Sequence, residues 1–151
     1  MLMALTRRLW HVAWRRTGQT VAMTSTQANV YQPGVCNIGP AEIRQRQRVG
    51  YVGLAVTLVF LVVAFAFGWP TPWRLFAFVP AVASASGFLQ AQLHFCARFG
   101  AKGLFNFGQL GKEENVMEAE FHRKDQRKAA LILILSVAIG VVIALIAWLI
   151  P

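Results

Sequence analysis

WRLFAFVPAVASASGFLQAQLHFCAR, residues Trp73–Arg98, decides how the rest of the chain is read. It is long and apolar enough to cross a bilayer, which takes about 20 residues. Yet its second half carries Ser84, Ser86, Gln90, Gln92 and His94. Two more uniformly apolar segments flank it: Val49–Gly68 and Ala129–Ile150 are both free of charge. Uninterrupted helices are the way a single segment satisfies its backbone in lipid. The expected fold is therefore an all-α integral membrane protein of three transmembrane helices, with spans near 49–68, 75–97 and 129–150 and the polar-faced segment as the central one.

Composition agrees. Of 151 residues, 56% are hydrophobic and 14% charged, against roughly a quarter charged in soluble domains. The formal charge of +9, fifteen Lys and Arg against six Asp and Glu, suits either nucleic acid or anionic lipid. The spans favour the lipid bilayer and its anionic lipids, and nucleic acid is not expected. Two cysteines, Cys36 and Cys96, are too few for a disulfide framework.

Residues 1–22 are Arg-rich. On a helical wheel Arg7, Arg8, His11 and Arg15 share one arc, with Leu2, Leu5, Leu9 and Trp10 on the other side. That pattern suits an amphipathic helix lying on an anionic surface. A mitochondrial transit peptide and a true start at Met23 are the rival readings, since no acidic residue precedes Glu42. Residues 23–39, with Pro33-Gly34 and Gly39-Pro40, read as a polar loop. The three-helix membrane domain is expected over 40–151. Pro40 fits a first helical position and Glu42 a first turn. Arg44, Arg46 and Arg48 follow at headgroup depth.

Trp69-Pro70-Thr71-Pro72-Trp73 connects the first two spans, with Pro80 expected to kink the second. Residues 99–111 contain four glycines and three phenylalanines and read as an interfacial loop. From Lys112 to Ile139 there is no Gly or Pro, so one helix is expected. Its charged part to Lys128 would extend about 25 Å beyond the membrane. Glu120 and Lys124 are spaced for an i,i+4 pair, and Arg123, Lys124, Arg127 and Lys128 sit at headgroup depth. Val116, Met117 and Phe121 form a short apolar stripe that either a partner or the 99–110 loop would cover.

Basic residues near span ends set orientation. Seven precede the first span, one (Arg74) lies between the first two, seven lie between the second and third, and none follows. The alternation fits an N-in/C-out protein whose third helix extends into the cytosol. A bacterial inner membrane is expected, with the mitochondrial inner membrane as the alternative.

Candidate sites are few. Ala83, Gly87, Gln90 and His94 recur at i, i+4, i+7, i+11, one helical face. His94, an ionisable group within a span, reads as a proton relay or a haem or metal ligand. The structural reading is that the small residues permit close helix approach while Gln90 and His94 bond a neighbour. Metal binding by Cys36, His94, Cys96 and His122 is disfavoured, because His94 and Cys96 point about 200° apart on a continuous helix. The Glu-x-x-His spacing fails too, with Ala119 where Glu would stand. Cys36, close to the helix start at Pro40, reads either as an activated thiol or as a packed loop residue. Nucleotide-binding glycine motifs, zincin motifs and serine elbows do not occur. No cofactor and no catalytic residue are expected.

The function these features point to is a non-catalytic accessory, assembly or scaffolding subunit of a membrane complex. It would pack on other membrane subunits or on itself through the small-residue face of the second span. The competing classes are a redox or proton-handling protein using His94, and a homo-oligomeric channel or small transporter.

Overall fold

Pro40 opens the first long helix, α1 (Pro40–Ala66), with extended Gly39 as its N-cap and Glu42 in its first turn. Residues 31–150, apart from Gln109 and Gly111, are described by this computed structural model. The amphipathic helix expected over 1–22, and the part of the expected loop before Tyr31, lie outside the described residues. Gly68 ends α1. At φ +60° it takes the left-handed position that lets Gly68 N–H reach Phe65 O (3.2 Å) and Trp69 N–H reach Ala64 O (2.9 Å), the double bond of a Schellman stop.

A short helix α2 (Thr71–Arg74) and a 3-10 turn (Leu75–Ala77) lead into α3 (Phe78–Gln92). Pro80 has no N–H to offer Phe76 O, so the ladder is weakened where the tighter turn replaces the α form. After α3 come α4 (Ala97–Lys102), strand β1 (Leu104–Phe105), strand β2 (Glu114–Asn115) and α5 (Ala119–Leu149). β1 and β2 pair antiparallel, Leu104 opposite Asn115 and Phe105 opposite Glu114. The stretches Pro40–Ala66, Thr71–Gln92 and Ala119–Leu149 are each long and apolar enough to cross a membrane. The chain is thus a mostly helical membrane protein with three candidate spans.

Two expected boundaries are corrected. The second span stops at Gln92 instead of Ala97, because the chain turns left-handed at His94 (φ +50°). The third helix starts at Ala119, not Lys112. Within residues 112–118, Glu114 and Asn115 pair back on β1, and Val116 N–H bonds Gly103 O at 2.8 Å. The charged extension, Ala119 to Lys128, is accordingly about 15 Å long instead of 25 Å. The 99–110 segment packs on this region through α4 and β1 in place of the expected loop, while Met117 of the apolar stripe stays exposed.

α3 packs on both long helices and forms the centre of the bundle. Its seam with α1 is glycine on glycine: a Cβ built at Gly87 would lie 2.5 Å from Gly50 N, and one at Gly53 2.7 Å from Ser84 N. Ser84 Oγ donates to Gly50 O across this seam (2.9 Å), and Tyr51 meets Phe88 edge-on at 5.0 Å. On the α5 side, Gly140 admits Val82 and Phe78. Near the other end of that seam Phe95 and Ile132 are fully buried against Leu89, Leu93 and Ala97. Thr57 and Ser136 donate to carbonyls of their own helices, Gly53 O and Ile132 O, both at 2.7 Å.

Candidate functional site

The sequence places polar residues at both ends of the bundle, and the structure ties each end differently. At the tryptophan end, Arg74 is buried. Its guanidinium donates to Trp69 O (3.0 Å) and Ile150 O (2.7 Å) and stands 4.6 Å over the Phe65 ring. One side chain therefore clasps the ends of all three spans, placing a cation where the α5 dipole is negative.

At the basic end a cap is built from distant segments. Asn37 is fully buried and bonds the Cys96 backbone in both directions, Nδ2 to Cys96 O at 3.2 Å and Cys96 N–H to Oδ1 at 2.7 Å. Its own N–H donates to His94 O (3.2 Å), and its carbonyl accepts from Asn106 N–H (3.0 Å). Asn106, also buried, returns its carbonyl to Gly39 N–H (2.8 Å), takes Gly108 N–H on Oδ1 (2.9 Å) and sends Nδ2 to Glu42 Oε1 (3.4 Å). Glu42, only 4% exposed, pairs at its other oxygen with Arg46 Nη2 (3.4 Å). That same nitrogen reaches Cys96 Sγ at 3.2 Å. Ile38, Cys96 and Phe99 close the apolar side.

A third anchor is Asp125, fully buried although it lies in the charged stretch of α5. Its carboxylate accepts Tyr31 OH (2.8 Å) and Gly34 N–H (2.6 Å), pinning the 31–36 turn to the helix. Burial first, then the Asp125 bond and charge, pushes the Tyr31 phenol above its ordinary value of 10.0. The folded chain thus holds this proton more tightly than the unfolded chain. The resulting stability is complete below about pH 10 and is lost as pH rises beyond it. Melting temperature should fall more steeply between pH 9 and 11 in the wild type than in Tyr31→Phe; equal slopes would show that the phenol is not coupled to folding.

The sequence-derived candidates are distributed as follows. Gly87 and Gln90 are buried, while Ala83 is exposed. Gly87 is taken up inside the chain against α1, and Gln90 accepts Ala97 N–H on Oε1 (3.1 Å) and donates to Ser86 Oγ (2.7 Å). His94 is corrected: it lies beyond the end of α3 and off its face, exposed at the basic end. It occupies the left-handed position of a second Schellman stop, where His94 N–H reaches Ala91 O (3.4 Å) and Phe95 N–H reaches Gln90 O (3.0 Å). A non-glycine residue there costs about 1 kcal/mol. His94→Gly should therefore raise stability in a thermal melt by up to about that amount, whereas a ring with an indispensable partner would make it destabilising.

Among the cations assigned to headgroups, Arg44, Arg48, Arg123, Lys124 and Arg127 are exposed and Lys128 half-buried. Arg46 is corrected: its side chain turns inward to Glu42 and Cys96. The expected Lys124–Glu120 pair forms at 2.7 Å. Both cysteines are buried. Burial raises the Cys36 thiol above its ordinary range despite an opposing hydrogen bond with the Ile38 backbone, which disfavours the nucleophilic thiolate. Among the described residues, no three His, Cys, Asp or Glu come together as a metal site would need.

Asn37, Asn106 and Asp125 carry no sequence signal for these roles, and Glu42 is expected only as a first-turn carboxylate. The Glu42/Arg46 spacing is the one signal that was legible. Compared with known protein families, with curated proteins and with solved structures, the chain matches none.

Proposed function

We propose that this chain is a non-catalytic accessory, assembly or scaffolding subunit of a membrane complex, held N-in/C-out in a bacterial inner membrane with its basic end in the cytoplasm. The observation that carries the reading is the use made of its buried polar groups. Asn37, Glu42, Gln90 and Asp125 all bond other parts of the same chain, Glu42 through half-buried Arg46, and the glycines fill helix seams. Such commitments suit a rigid frame, with these side chains held in internal bonds.

Because Gly87 is used internally, the partner meets the neighbouring surface that still bears Ala83. There Val49, Val52, Gly53, Val56, Pro80 and Ala83 line an apolar groove between α1 and α3, shaped for a transmembrane helix of another subunit. Purification in gentle detergent should bring down a stoichiometric membrane partner. Ala83→Trp should release it while leaving the melting temperature of the isolated chain unchanged. A monomer without companion would overturn the reading, and a bound chromophore or stoichiometric metal would favour the redox class instead.

A further inference from the structure

Four residues of α5 fall at i, i+3, i+4 and i+7: Lys124, Arg127, Lys128 and Leu131. That spacing places them on one helical face. With Pro33 and Gly34 they line a concavity of about 380 Å³, within the size range of small-ligand sites. The far wall is not a loose loop. Gly34 is fixed by its N–H bond to buried Asp125, and a Cβ there would lie 3.3 Å from that of Lys124. Lys124 is shared with Glu120, but among the described residues Arg127 and Lys128 have no carboxylate partner. Below the cations the same face continues through exposed Leu131, Leu135 and Val142. Cations therefore stand directly above an apolar stripe, the polarity sequence of a phospholipid from phosphate to acyl chain.

From this arrangement we infer a discrete site for one anionic phospholipid. Its phosphate sits between Arg127 and Lys128 beside the Pro33–Gly34 turn, and an acyl chain lies along Leu131 and Leu135. The inference rests on the membrane placement proposed above and narrows it from a basic surface to a single built groove. It does not depend on any protein partner.

The test uses the full chain in detergent, offered equal amounts of phosphatidylglycerol and phosphatidylcholine and read by native mass spectrometry. The wild type should retain one phosphatidylglycerol in preference to phosphatidylcholine. Arg127→Gln with Lys128→Gln should weaken that retention about thirtyfold, at about 1 kcal/mol for each juxtamembrane cation. Arg98→Gln with Lys102→Gln removes the same charge from two exposed residues of α4 and should leave retention within about twofold. Asp125→Ala makes the chain more positive, so diffuse attraction would hold the lipid more tightly; a built groove whose wall has been released holds it less. Should Asp125→Ala fail to fold, the Arg127 and Lys128 pair, exposed and half-buried, still decides.

Equal weakening by both double variants, or equal retention of both lipids, would overturn the site. Full competition by millimolar glycerol phosphate would also overturn it, since the headgroup alone would then account for binding. Recovery of the chain in buffer without detergent would instead remove the membrane placement itself, and loss of the protein partner alone would leave the lipid site standing.

Discussion

Asn37→Ala is expected to cost about 3–5 kcal/mol and to open the basic end of the bundle. The side chain is fully buried and carries two bonds to the Cys96 backbone, at 2.7 and 3.2 Å. Truncation leaves that buried N–H and C=O without partners, at about 1–3 kcal/mol each, and adds a small cavity. Total stabilities are only about 5–15 kcal/mol, so the loss is a large share. It is also local in a way that can be read chemically. Cys96 is fully buried and Cys36 nearly so, and both should resist maleimide in the wild type and react in the variant before global melting. Asn37→Asp makes the control. It keeps the acceptor for Cys96 N–H but loses the donor and places a charge opposite Cys96 O, so it too should destabilise despite equal volume. An Asn37→Ala protein with unchanged melting and protected thiols would show that the cap does not hold the end together.

The spans were legible because their signal is additive: about twenty uncharged apolar residues in succession exceed any single local preference. The cap had no such signal. Asn37 and Asn106 look like turn formers one at a time, and their meeting depends on chain reversals far from either. Arg44, Arg46 and Arg48 are chemically the same residue, and only the carboxylate of Glu42 one turn earlier decides which of them faces inward. That spacing is readable, but its consequence, burial of Glu42 and the inward turn of Arg46 to Cys96, is not.

The two misplaced helix ends have a common cause. Residues 112–118 are good helix formers, yet pairing with β1 and the Val116–Gly103 bond win over propensity, as tertiary context commonly does. At the end of α3 the stop is made by His94, where glycine would have announced it. What pulls the chain round is Phe95, fully buried against Leu89 and Leu93, a packing preference invisible in a linear pattern. The face of Ala83, Gly87, Gln90 and His94 therefore breaks where the helix does.

Gly87→Ala should destabilise by about 2–3 kcal/mol, although the same change in an ordinary helix interior gains up to about 1 kcal/mol. The reversal of sign comes from the seam. A Cβ at Gly87 would stand 2.5 Å from Gly50 N, 2.7 Å from Gly50 Cα and 2.8 Å from Arg46 O. All three are backbone atoms of α1 that no rotamer change can move. Relief requires α1 to withdraw, which stretches the Ser84–Gly50 bond (2.9 Å) and loosens the contacts that small residues make possible in a bilayer. Gly87→Val should go further and separate α1 from α3. Gly140→Ala is the comparison, because the atoms in its way belong to the side chains of Val82 and Phe78 and not to backbone; Val82 is stiff at χ1 in a helix, so the change still costs, but less than displacing a backbone. Melting followed by circular dichroism in one detergent should therefore rank wild type above Gly140→Ala, and Gly140→Ala above Gly87→Ala. If Gly87→Ala proved as stable as wild type, α1 would have room to retreat, and the close backbone approach would not be what fixes the central helix against its neighbour.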